Sequence, residues 1–108
     1  MKISVVTAVF NRVETIGSAI ASVQSQTYSD VEHVIQDGGS RDGTLELVRK
    51  VADTSAVIVS EKDDGIYDAI NRGISRATGD VIGLMHSDDF YASNAVLAKI
   101  ADAFADRS

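Results

Sequence analysis

Ile3-Ser4-Val5-Val6-Thr7-Ala8-Val9 is an apolar run rich in β-branched residues, and it is followed at once by Phe10-Asn11-Arg12. Such a run predicts a buried strand. From Thr15 to Gln26, residues Ile16, Ala19, Ile20 and Val23 recur at the spacing that places one stripe on one face of a helix. Val31 to Gln36 predicts a second strand, closing at Asp37-Gly38-Gly39-Ser40. Leu45, Val48 and Val51 mark the next helix, entered through Asp42-Gly43-Thr44. Ala56 to Ser60 predicts a third strand. A helix from Ile66 to Ala77 follows, with Asp64 as its expected N-cap. Thr78-Gly79-Asp80 turns into a fourth strand, Val81 to Met85. Ser93 is the expected cap of a last helix carrying Ala95, Val96, Leu97, Ile100 and Phe104.

The order βαβαβαβα predicts an α/β fold, with a mostly parallel sheet between two layers of helices. In such a sheet, ligands bind beyond the carboxyl ends of the strands. Those ends carry Thr7 to Asn11, Asp37 to Ser40, Ser60 to Asp64 and His86 to Asp89, so the polar and acidic residues collect where a site is expected.

Composition narrows the classes. With 108 residues and 44% apolar content, the chain suits one compact domain with a core and is not disordered. No apolar run approaches the roughly 20 residues that span a bilayer. The N-terminus lacks the basic and long apolar regions of a signal peptide, so a cytoplasmic location is expected. The absence of cysteine excludes disulfides and thiolate metal sites. A net charge of −6 argues against nucleic acid as a partner. It leaves room for a small phosphate-bearing ligand met by helix N-termini or a bridging cation.

Three constellations stand at the strand ends, each with two readings. Asp88-Asp89 is either a solvated pair before the last helix or a Mg²⁺ or Mn²⁺ ligand that relieves its own repulsion by binding metal. Asp37-Gly38-Gly39-Ser40-Arg41-Asp42-Gly43-Thr44 is either a glycine-shaped turn or a loop open to close approach by a ligand. In Glu61 to Gly73, acids near a helix start suit the helix dipole, but Asn71 and Gly73 are poor helix formers that propensity does not explain. His33 is expected at the surface or half-buried on its strand. His86, beside the acids, is a metal ligand or a hydrogen-bonding neighbour. The glycine signature of a dinucleotide site, the P-loop and the nucleophile elbow are all missing from the sequence.

Taken in order, these segments resemble family-2 glycosyltransferases of the GT-A fold. Ile3 to Arg12 resembles that family's first strand and its T-x-x-[YF]-N-R turn, and Ser22-Val23-Gln24-Ser25-Gln26-Thr27-Tyr28 the end of its first helix. Asp37 to Thr44 is similar to its D-G-G-S-x-D-G-T loop. Glu61 to Gly73 is similar to the S-E-x-D-x-G-I-Y-D-A-x-N-x-G stretch of a bacterial polysaccharide-synthesis branch. Ala77 to Asp80 and Ser87-Asp88-Asp89 complete the series.

The resemblance implies a three-layer, Rossmann-like fold, truncated, with residues 1–108 forming a single nucleotide-sugar-binding domain. It implies transfer of a sugar from a nucleotide-diphosphate donor, a UDP-sugar in preference, to a saccharide or lipid-linked acceptor with inversion, in the cytoplasm or at the inner face of the plasma membrane. Thr7, Val9 and Asn11 would line the nucleotide pocket, with Asp37, Gly39 and Ser40 at the base. Asp63, Asp68 and Asn71 would lie near the ribose or sugar. Ser87 and Asp88 would meet the nucleotide, and Asp88 with Asp89 would hold Mg²⁺ or Mn²⁺. Departures from the pattern are His86 in place of the first metal-facing acid, Ala8 in place of a frequent proline and Asp64 in place of a frequent lysine. Family domains run to roughly twice this length, so the catalytic base is expected outside the chain, and exposed surface left by truncation is expected to self-associate. Two rival readings are a receiver-like signalling module and a nucleotidyltransferase. The first strand's end, Phe10-Asn11-Arg12, lacks the acids of the one and the basic glycine-rich loop of the other.

Overall fold

The computed structural model describes residues 1–88 and 91–105. Its elements are β1 (Ile3–Val9), α1 (Ile16–Gln24), β2 (Val31–Asp37), α2 (Thr44–Val51), β3 (Val57–Ser60), α3 (Ile66–Arg76), β4 (Val81–Leu84) and α4 (Val96–Ala105). The four strands form one parallel sheet in the order β3-β2-β1-β4. The order reverses at β1, where the chain leaves β3 and returns to pair β4 with Ile3 to Val6.

Helices pack on both faces of β1, which is why it reads as an apolar run and not as an alternation. Ile3, Val5 and Val9 point to one face, where they meet Ile16, Ala19, Ile20 and Val23 of α1, Val48 of α2 and Leu97 of α4. Ile16 and Ile20 are fully buried, and each such side chain stabilises the fold by about 1.5–3 kcal/mol. The other face of β1 receives α3. Gly73 sits so close to Val6 that a Cβ at this position would lie 2.5 Å from Val6 Cγ1. That close approach, and not helix propensity, accounts for the glycine.

Three expectations need correction. Asp64 does not cap α3. The N-cap is Gly65, with no side-chain cap, and Asp63 Oδ1 accepts the Gly65 N–H at 3.0 Å while Asp68 Oδ2 accepts that of Asp64 at 2.9 Å. Ser93 accepts the Ala95 N–H at 3.3 Å, but α4 begins only at Val96. His33 is buried, because it pairs with Val5 and so shares the face of the sheet that packs α1, α2 and α4. Among the described residues, no helix is long and apolar enough to cross a membrane.

Candidate functional site

The carboxyl ends of the strands enclose a cleft of about 830 Å³. Ala8, Val9, Phe10 and Arg12 line it from β1; Gly38, Gly39 and Arg41 from β2; Lys62, Asp63 and Gly65 from β3. Ile66 and Ala69 of α3 and Ser87 after β4 complete the wall.

Two loops are sewn together along one lip. Asn11 has a left-handed backbone (φ 50°), a conformation that Asn tolerates better than most residues. This turns its N–H toward Ser40 Oγ (2.8 Å), while its Oδ1 accepts the Arg41 N–H (2.8 Å). The Arg12 N–H donates to Thr44 Oγ1 at 2.9 Å and the Val13 N–H to Asp42 Oδ2 at 3.2 Å. The Thr44 hydroxyl holds the Asp42 carboxyl below the usual carboxylate range, with help from the Val13 and Thr44 amides.

Asp37 is fully buried. Its oxygens accept the N–H groups of Gly39 (3.1 Å) and Ser40 (3.0 Å) and the hydroxyls of Ser60 (2.8 Å) and Ser40. It therefore organises the Gly38-Gly39 turn from behind. Asp63 is the carboxylate in the cleft wall, and its Oδ2 hangs over Gly38, where a Cβ would meet it at 2.7 Å.

Below the cleft, a polar brace joins α3 to β2 and β3. Glu61 Oε1 accepts from Gln36 Nε2 (3.0 Å) and from Arg76 (2.9 Å), and it pairs with Arg72 at 3.1 Å. Arg72 Nε also donates to Asp68 Oδ2 at 3.0 Å. Hydrogen bonds from Arg72 and Gln36 hold the Glu61 carboxyl below its usual range. The Asp64 amide and then Arg72 do the same for Asp68.

Of the residues expected at a ligand site, the cleft brings together Val9, Gly39, Asp63 and Ser87. Asn11, Asp37 and Ser40 form the framework behind it. Thr7 is buried, with Oγ1 2.9 Å from His33 Nε2. Asp68 belongs to the brace, and Asn71 is exposed on α3. Asp88 is exposed on a turn beside the exposed His86, and Asp89 lies outside the described residues. Sequence reasoning missed Phe10, Arg12, Gly38, Arg41 and Lys62 as lining residues. Their one signal was a position after predicted strands, which marks an edge of the sheet and not a cleft-lining side chain.

Among the described residues no group of three His, Cys, Asp or Glu side chains could hold a metal ion. Mg²⁺ is commonly held by one or two carboxylates together with substrate phosphates. Asp88, exposed on its turn, is one such carboxylate, and the described residues around it complete no cage made by the protein alone.

The parallel sheet gathers its strand-end loops around one cleft, the place where open α/β sheets bind ligands, and Arg12, Arg41 and Lys62 stand in its wall in a chain of net charge −6. The chain belongs to glycosyl transferase family 2, which it matches over residues 4–108. It is 35% identical over 102 residues to an uncharacterised glycosyltransferase of Mycobacterium tuberculosis, a match covering 94% of this chain and 39% of that protein. The chain thus spans about two fifths of the length of such relatives. The structure resembles S. aureus TarS residues 1–349 in complex with UDP-GlcNAc, with a TM-score of 0.84 and 26% identity over 99% of this chain and 32% of that one. It also resembles glucosyl-3-phosphoglycerate synthase of M. tuberculosis in complex with Mn²⁺, UDP and glucosyl-3-phosphoglycerate, with a TM-score of 0.68 and 27% identity over 80% of this chain and 33% of that one. The fold is that of the GT-A glycosyltransferases, and family membership sets aside the receiver and nucleotidyltransferase readings.

Proposed function

We propose that residues 1–108 form one donor-binding unit of an inverting glycosyltransferase, and that the cleft takes a nucleotide-diphosphate sugar, with a UDP-sugar preferred. One observation carries the reading. Arg12, Arg41 and Lys62, three of only ten Lys and Arg in a chain of net charge −6, line the same cleft. Concentrated positive charge in a concave, partly apolar site favours an anionic ligand with an apolar part. The complexes of the two similar structures, with UDP-GlcNAc and with UDP and Mn²⁺, support the choice of ligand.

In this reading Val9, Phe10 and the Gly38-Gly39 turn flank the base, and Asp63 offers it an acceptor. Asp37, Asn11 and Ser40 hold that turn, and Thr7 lies on β1 behind the pocket. Asp68 and Asn71 lie toward the ribose or sugar. The cations face the diphosphate. Ser87 and Asp88 would face the departing phosphate, and Asp88 and Asp89 would hold Mg²⁺ or Mn²⁺. Such a cation supplies charge stabilisation for the leaving diphosphate. Inversion needs a base on the acceptor hydroxyl, and we assign none within this chain. The acceptor is a saccharide or lipid-linked saccharide of cell-surface polysaccharide, met in the cytoplasm or at the inner face of the plasma membrane. The weakly covered face of the sheet is a surface for self-association.

Titration of UDP with and without Mn²⁺, followed by calorimetry and amide NMR shifts, tests the reading. UDP is expected to bind, Mn²⁺ to tighten it, and Arg41→Ala and Asp63→Asn each to weaken it roughly tenfold, as expected for a lost hydrogen bond to a charged group. No shift at millimolar UDP in the folded chain would overturn it.

A further inference from the structure

The segment between β3 and α3 brings Lys62 and Asp63 to the cleft wall, and one side chain holds it at both ends. Arg72 of α3 reaches Glu61 Oε1 through Nη1 at 3.1 Å and Asp68 Oδ2 through Nε at 3.0 Å. Among the described residues, Arg72 alone bonds both carboxylates. Glu61 directly follows β3, and its N–H donates to the Asp37 carbonyl at 2.9 Å. Asp68 lies in the first turn of α3, where its Oδ2 also accepts the Asp64 N–H at 2.9 Å. Between these anchors, Asp63 Oδ1 accepts the Gly65 N–H at 3.0 Å, and Gly65 turns the chain into the helix with a φ of 115°. The ion pairs of Arg72 are partly exposed, and pairs of that kind contribute little to stability. Their effect on the shape of the segment is larger, because they fix its entry and its exit against the same guanidinium.

We infer that Arg72 is a positioning residue for ligand binding: it clamps Glu61 to Asp68 and so fixes the loop from which Lys62 and Asp63 meet the ligand. The inference rests on the donor-site reading above. A loop ordered in the free protein spares the ligand the cost of ordering it on binding. Arginine suits the task, since its planar fork offers N–H groups in fixed directions to two carboxylates at once. Lysine carries one nitrogen on a flexible stem and keeps the charge without the clamp.

The experiment measures UDP affinity by calorimetry on the 108-residue chain. Arg72→Met is expected to weaken UDP roughly fivefold, the cost of ordering a freed loop on binding. Arg72→Lys is expected to weaken it as much. The same Arg72→Met change is then made in two backgrounds. In Asp63→Ala the loss is expected to shrink, because the group being positioned is gone; in Arg41→Ala, on the other side of the cleft, it is expected in full. A merely structural role would give equal losses in both backgrounds, and that result overturns the inference. Full affinity in Arg72→Lys also overturns it, by showing that the charge acts and not the clamp. If wild type binds UDP and folded Arg72→Met binds it as tightly, the inference fails and the donor reading stands. If folded wild type binds no UDP, both fail together. Should Arg72→Met not fold, Arg72→Lys decides, in the same two backgrounds.

Discussion

His33 illustrates how one buried residue sets a pH limit. It lies on β2 with 7% of its surface exposed, its Nε2 2.9 Å from Thr7 Oγ1, and its Nδ1 has no hydrogen-bond partner among the described residues. Burial lowers its pKa from 6.5 to about 4. The folded state therefore binds fewer protons than the unfolded chain between those values, and stability rises with pH across the window. The contribution is complete above about pH 6.5 and is lost as pH falls toward about 4, an effect of about 3 kcal/mol. Urea unfolding midpoints measured at several pH values across this window are expected to fall steadily on acidification, with a shallower slope in His33→Leu. Parallel slopes for the two proteins would refute the assignment. Asp42, Glu61 and Asp68, whose carboxyls are held low, add their own losses at more acidic pH in both.

At the scale of elements, the seating of α3 on β1 makes a paired prediction. Gly73→Ala forces a Cβ to 2.5 Å from Val6 Cγ1, a stiff β-branched group. Overpacking of that kind costs about 1–3 kcal/mol, against about 1 kcal/mol gained in helix propensity. Gly17→Ala, in α1, meets only Leu47 Cδ2, at 3.8 Å, and keeps the propensity gain. Thermal unfolding is expected to show Gly73→Ala below wild type and Gly17→Ala above it; equal shifts would contradict the packing argument. The elements themselves were legible, because strand runs and helical stripes are local patterns, and each boundary fell within a residue or two. Asp37 was legible only in part. Its bonds to Gly39 and Ser40 are the Asx-turn geometry that Asp-Gly-Gly-Ser suggests, but the donor from Ser60 depends on β3 lying beside β2. The caps failed for a related reason. Gln26 reaches α4, and Asp63 and Asp68 share the work at α3, through contacts that local propensity does not encode. The cleft cations Arg12, Arg41 and Lys62 carry no local signal of their own, since nothing in the sequence around a cation marks it as lining a cleft.

The molecule as a whole is unevenly covered. One face of the sheet packs α1, α2 and α4, and the other receives α3. Ile82 and Leu84 of β4 pair with Ser4 and Val6 and share their face, yet they remain 42% and 51% exposed. Ile66 of α3, also exposed, lines one small pocket with Leu84, and exposed apolar groups of this kind drive association. Light scattering is expected to show a mass that rises with concentration, more steeply at higher salt where the net charge of −6 is screened. Leu84→Lys should suppress it. A strict monomer at high concentration would count against the proposal. The opposite end of the molecule is built otherwise. The seam from Asn11, Arg12 and Val13 into Ser40, Thr44 and Asp42 closes both loops before any ligand arrives. A guest at that lip meets a surface already shaped when the chain folded, so its grip is limited by the stripping of water from the guanidinium and ammonium groups rather than by any closing of loops.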